Sequence, residues 1–296
     1  MKELHGTGVA IVTPFDKHLK VDSAALSRVV NHGIEGGVDY LVVLGTTGES
    51  VTLDPAEKKE IARIVVEVNK GRVPLVLGIG GNNTSKLAQE LRSTDLEPFM
   101  AILSVSPYYN RPTQEGIHMH FKQLAEASSK PLILYNVPGR TASNMLPSTV
   151  LRLAEQCPNI IGIKEASGNI DQVKKVIELV PDNFLVISGD DITALPTVLA
   201  GGHGVISVLA QALPSEFSSM IALGRQGDTH QAISLHNKMK AGMELIFEEG
   251  NPAGIKAMLE YQKICSAKVR LPLVEASTSL KKKIGEFVDQ VLKMPA

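Results

Sequence analysis

Ile160-Ile161-Gly162-Ile163-Lys164-Glu165 reads as a buried strand that ends on a charge. With a period of two, Ile161 and Ile163 share one face and Gly162 and Lys164 the other. The isoleucine face is expected to press against helices. The glycine face is expected to look into a confined interior, with Lys164 at its open end. Desolvation there disfavours the ammonium form, which makes the amine available as a nucleophile for a carbonyl. Taken alone, the same lysine reads first as a strand-end charge reaching solvent.

Working outward, seven more apolar runs flank this one. They begin at Gly8, Tyr40, Pro74, Met100, Leu132, Phe184 and Gly204. Each is followed by an amphipathic stretch with a helix-start signal, such as Asp22, Asp54-Pro55 or Leu146-Pro147. Near-continuous apolar strands alternating with helices belong to buried parallel sheets. Eight such units over roughly 220 residues predict an α/β fold, a (β/α)8 TIM barrel. A doubly wound open sheet is the alternative. It calls for a phosphate-binding glycine loop, and Gly78-Ile79-Gly80-Gly81-Asn82 does not match G-x-G-x-x-G. Beyond Gly227-Asp228 the strand signal stops. Stretches 229–247, 252–265 and 278–293 read as helices, so the division expected is a catalytic barrel over 1–225 and a C-terminal helical segment over 226–296. Lys281-Lys282-Lys283 reads as a solvated face.

Composition narrows the function. A net charge of −1 gives no footprint for nucleic acid or an anionic membrane. Aromatic content is 4% with no Trp, so stacking platforms for bases are not expected. No apolar run approaches the roughly 20 residues that span a bilayer. Met1 to Phe15 lacks the pattern of a signal peptide. Cys157 and Cys265 have neither metal spacing nor a disulfide framework around them. These features fit a reducing cytoplasm.

In a (β/α)8 barrel the chemistry sits at the C-terminal ends of the strands. There the sequence places Gly45-Thr46-Thr47-Gly48-Glu49 after strand two, whose amides can form a nest for a carboxylate. Tyr108-Tyr109 follows strand four, Arg140 strand five, Gly189-Asp190-Asp191 strand seven, and Ile206 lies in strand eight. Tyr135 precedes Lys164 by one βα unit. A phenol beside an amine that attacks a ketone can move the protons of carbinolamine formation and dehydration. Arg140 can grip a substrate carboxylate with two parallel bonds. Read singly, Tyr135 is also a core aromatic and Arg140 a loop charge. Asp190-Asp191 reads as a helix cap rather than a metal pair, and His118-x-His120 diverges on a helix. His203 reads as serving a turn. No metal site is expected.

The segments Gly45–Glu49, Tyr135-Asn136-Val137-Pro138-Gly139-Arg140-Thr141 and Gly162–Gly168 together resemble the dihydrodipicolinate synthase branch of the pyruvate-dependent class I aldolases, over essentially the whole chain. The resemblance implies that Lys164 forms an imine with pyruvate, and that Tyr135 exchanges protons through Thr46 and Tyr109. It implies that Tyr109 comes from a neighbouring subunit, hence a homo-oligomer, usually a dimer of dimers. It implies that Thr47 and the backbone near Ile206 hold the pyruvate carboxylate, and it counts Gly189 among the substrate-binding positions. Arg140 is implied to bind L-aspartate 4-semialdehyde, the product being 4-hydroxy-tetrahydrodipicolinate for lysine and diaminopimelate biosynthesis. No cofactor is implied. A sister aldolase, such as N-acetylneuraminate lyase or a keto-sugar-acid aldolase, and a catalytically silent barrel used as a binding module are the other readings. The family pattern for lysine-inhibited members has His and Glu where this chain has Lys58 and Lys86, so lysine feedback is expected to be weak or absent.

Overall fold

Eight parallel strands close on themselves in sequence order in the computed structural model, which describes residues 1–293. They are β1 (Gly6–Ala10), β2 (Tyr40–Val43), β3 (Leu75–Gly78), β4 (Ala101–Val105), β5 (Leu132–Asn136), β6 (Ile160–Glu165), β7 (Leu185–Ser188) and β8 (Gly204–Ser207). The pairing of β1 with β8, Gly8 opposite Ile206, shuts the barrel and excludes the open sheet. The helices over the barrel are α1 (Ser23–Glu35), α2 (Pro55–Asn69), α3 (Thr84–Ser93), α4 (Gln114–Ala127), the single turn α5 (Pro138–Thr141), α6 (Pro147–Gln156), α7 (Ile170–Leu179), α8 (Asp191–Leu199) and α9 (Pro214–Gln226). After them come α10 (Thr229–Glu248), α11 (Ala253–Tyr261) and α12 (Thr278–Lys293).

Local sequence sets these boundaries. Asp22, Asn83, Thr113, Asn169, Asp190 and Asp228 each accept a backbone N–H of the first turn they cap. At α2 the cap is reciprocal: Asp54 accepts from Glu57 N while the Glu57 side chain accepts from Asp54 N, with Pro55 at the first helical position.

Two apolar layers follow from strand alternation. Residues such as Leu41, Val43, Leu134 and Ile163 face the helices, whereas Val42, Leu103, Ile133, Tyr135, Ile187 and Ile206 fill the barrel. The expected alternation fails at one place. Ile160 pairs with Leu132 but Gly162 pairs with Ile133, so Ile161 is an inserted residue, a bulge. Ile160 and Ile163 therefore face the helices, while Ile161 packs with the barrel interior. Period-two reading from Ile161 put it on the wrong face because one extra residue inverts the phase.

Other boundaries also shift. The first strand begins at Gly6 rather than Gly8, and the run after Ser207 leaves the sheet as a 3-10 turn, Leu209–Gln211. α5 had no periodic signal, since four residues carry none. Lys281 and Lys283 are not simply solvated: Lys281 bridges Glu260 and Glu275, and Lys283 meets Glu248, tying α12 to the helices beside it.

Candidate active site

Tyr135 and Lys164 are direct partners in the ladder between β5 and β6, and Leu134 with Ile163 sits one step below. Both side chains point into the barrel mouth. Lys164 is 5% exposed, and its Nζ lies 4.5 Å from the centre of the Tyr135 ring. No hydrogen bond or ion pair reaches that nitrogen among the described residues. The lysine stem needs room, and Gly189 supplies it. A Cβ at position 189 would stand 2.7 Å from Lys164 Cε and 2.6 Å from the Ala166 Cβ. Gly189 thus shapes the site through what it lacks.

The outward faces of the same strand ends are polar and fully engaged. Glu165, buried, accepts from Asn136 Nδ2 at 2.8 Å, Gln172 Nε2 at 2.9 Å and Ser167 N at 2.8 Å. Asn144 extends the network to Asn136 and Gln172. A satisfied buried network of this kind holds two strand ends in one geometry. Asp191 does the same between β7 and β8. Its carboxylate accepts from Leu209 N at 2.9 Å and Val208 N at 3.2 Å, and burial raises its pKa to about 6. Asp190, beside it, caps α8 through Thr193 N.

These strand ends open on a cavity of about 380 Å3. Thr46, Thr47, Tyr135, Arg140, Lys164 and Gly189 all line it. Thr46 is exposed and Thr47 buried, on a 3-10 turn (Thr46–Gly48) whose last carbonyl accepts from the Thr13 hydroxyl at 2.7 Å. Two of the implied site residues, one expected from a neighbouring subunit and the other through its backbone, bring no side chain to the cavity of this chain. Tyr109 is 89% exposed and does not line the cavity, a position taken by Tyr108. Ile206 is wholly buried inside the barrel, and Val208, two residues on, reaches the cavity wall instead. Ile206 lies within β8, whereas Val208 lies just past its end, so the Ile206 side chain sits deeper in the barrel.

Asn251 and Lys256 escaped the sequence reading, and so did the partner of Glu49. Asn251, between α10 and α11, lines the cavity and donates to Thr47 Oγ1 at 2.9 Å. Its backbone carbonyl accepts from Arg140 Nη2 at 3.4 Å. Behind the Thr46–Gly48 turn, Glu49 meets Lys256 of α11 in an ion pair of 2.5 Å that excludes water. Partners more than 200 residues apart leave no local pattern. His118 and His120 are separated as expected, bonded to Gln156 and Thr84 respectively. The ring of His203 bonds Val186 N in the turn before β8. Among the described residues no group of three or more His, Cys, Asp or Glu side chains could hold a metal ion. No helix among them is long and apolar enough to cross a membrane.

Comparison with known proteins adds identity to this geometry. A family model described as the dihydrodipicolinate synthetase family matches residues 3–291. A 4-hydroxy-tetrahydrodipicolinate synthase of Flavobacterium psychrophilum is 55% identical over 293 residues, covering 99% of this chain and 100% of its own. The chloride-inhibited dihydrodipicolinate synthase of Acinetobacter baumannii, solved with pyruvate, superposes with a TM-score of 0.95 at 36% identity, covering 98% of this chain and 100% of its own. A monomeric dihydrodipicolinate synthase variant superposes at 0.96 with 35% identity, over 99% and 98% of the two chains.

Proposed function

The chain belongs to the dihydrodipicolinate synthetase family, and from that premise we propose that it condenses pyruvate with L-aspartate 4-semialdehyde through a Schiff base on Lys164, giving 4-hydroxy-tetrahydrodipicolinate for lysine and diaminopimelate biosynthesis. The observation that carries this reading is the Lys164 amine, buried, with no hydrogen bond or ion pair among the described residues, and against the Tyr135 ring at a cavity mouth.

The chemistry follows from that placement. The amine nitrogen attacks the ketone carbon of pyruvate, and water leaves to form the imine. The Tyr135 hydroxyl, directly across the ladder, donates and takes back the protons of these steps. The iminium draws electrons from the methyl carbon, which loses a proton to become an enamine. That carbon then bonds to the aldehyde carbon of the second substrate, whose oxygen takes up a proton. The substrate's own amine displaces Lys164 from the imine and closes the ring, which returns the enzyme. Thr47 and the adjacent amides hold the keto-acid carboxylate, Arg140 the carboxylate of the semialdehyde, and Thr46 relays protons. Gly189 and the backbone around Ile206 complete the substrate contacts.

We also propose that the chain works as a cytoplasmic homo-oligomer. Tyr109 and Val51 stand exposed beside the mouth, and a second copy would cover this edge while offering the partner subunit's Tyr109 to the relay. Full activity in a species that sediments as a monomer would contradict it. A coupled assay decides the main reading. Consumption of both pyruvate and L-aspartate 4-semialdehyde is expected; cleavage of a keto-sugar acid in its place would assign the chain to a sister activity.

A further inference from the structure

Glu49 stands in a left-handed backbone conformation, φ +53°, where glycine is the usual residue. Its side chain gives the position a reason to be glutamate. One carboxylate oxygen accepts from Lys256 Nζ at 2.5 Å and the other from Arg270 N at 2.9 Å. Lys256 is 0% exposed, and its ammonium also donates to the Lys268 carbonyl at 2.8 Å and lies 4.2 Å from the Phe15 ring. Burial pulls the Lys256 amine below the ordinary lysine range, and the Glu49 charge opposes that pull.

The position of this pair along the chain matters more than its strength. Glu49 follows Thr47 by two residues, and Lys256 follows Asn251 by five. The segment running from Asn251 into α11 therefore grips the same loop twice: Asn251 on the Thr47 hydroxyl and Lys256 on the Glu49 carboxylate. α11 has little freedom to move. Ala253 through Leu259 are buried, and a Cβ on Gly254 would stand 2.4 Å from the Ile246 carbonyl oxygen. Because Asn251 uses the acceptor side of the Thr47 hydroxyl, its proton remains to be given to an anion.

We propose that Glu49 and Lys256 are positioning residues for the keto-acid carboxylate. They lock the Thr46–Gly48 turn onto α11 so that its donors face the cavity. The inference rests on the function proposed above. It makes the C-terminal helices part of substrate binding as well as of stability.

The test separates these two roles. Wild type, Lys256→Met, Glu49→Gln and the double variant E49Q/K256M are titrated with pyruvate, and adduct trapped by borohydride is measured beside the melting temperature. K256M alone leaves a buried carboxylate uncompensated and is expected to melt early or fail to fold; the double variant removes both charges and recovers stability. Positioning predicts that the pyruvate half-saturation stays raised by about tenfold or more in the double variant, with trapping at saturation within about threefold of wild type. A half-saturation that returns to the wild-type value along with the melting temperature would show a purely structural pair and overturn the proposal. Wild type that forms no adduct at any pyruvate concentration would overturn the function itself.

Discussion

Lys164 and Lys256 are both lysines shut away from water against an aromatic ring, and they differ in what else surrounds the nitrogen. Lys256 has a carboxylate, a backbone carbonyl and the face of Phe15. Lys164 has the face of Tyr135 and an open cavity. A buried charge is tolerated when it is paired and hydrogen-bonded, and is otherwise costly. So Lys256 is saturated and can only hold other groups in place, whereas Lys164 is left free to react. The fold buries two amines and leaves only one of them open to a substrate.

The largest expected effect comes from breaking the free member. Lys164→Met should lower condensation by more than about a thousandfold. It should move the melting temperature by less than about 3 °C, because no hydrogen bond or ion pair among the described residues is lost with it. Comparable residual turnover in K164M would end the account. Tyr135→Phe keeps the ring beneath the amine and removes only the hydroxyl. Turnover should fall by about 10²–10⁴-fold with stability nearly unchanged, measured as kcat against a melting curve. Breaking the saturated member should act first on stability. Lys256→Met should cost about 3–5 kcal/mol of stability, visible as a drop of roughly 10 °C or more.

Acid sharpens the contrast through groups away from both amines. Burial holds His120 down at about 4, below its ordinary 6.5, so its charged form is disfavoured by the fold. That stability is complete above about 6.5 and is lost as pH falls through about 4, a loss of order 3 kcal/mol. Asp191 works in the opposite sense. Its pKa is raised to about 6 from 3.8, so its contribution is complete below about 3.8 and fades as pH rises through 6. His120→Gln should therefore flatten or invert the decline in denaturation midpoint between pH 6.5 and 4; an unchanged slope would remove His120 from that role. The smallest effect concerns feedback. Lys58 lines the cavity and Lys86 is exposed on α3. Added L-lysine at millimolar levels is expected to leave the rate unchanged, and a clear inhibition curve would refute that.

What the sequence made legible tracks the range of the interactions. Buried parallel strands are nearly continuous in Val, Ile and Leu, so all eight could be read, and so could the one-unit spacing that sets Tyr135 beside Lys164. The bulge at Ile161 was hidden, because an inserted isoleucine among isoleucines leaves no mark in the pattern. Tyr109 and Ile206 were implied by resemblance, and this chain alone does not bring their side chains to the cavity. Glu49, Asn251 and Lys256 meet their partners across more than 200 residues. Nothing local marks a lysine in α11 as different from any other until the fold puts a carboxylate against it.

The most direct measurement follows from the two lysines. Protein incubated with pyruvate, reduced with borohydride and digested should carry a single adduct, on the peptide containing Lys164, with the Lys256 peptide unmodified. An adduct on Lys256, or none on Lys164, would contradict the assignment of the free amine as the nucleophile.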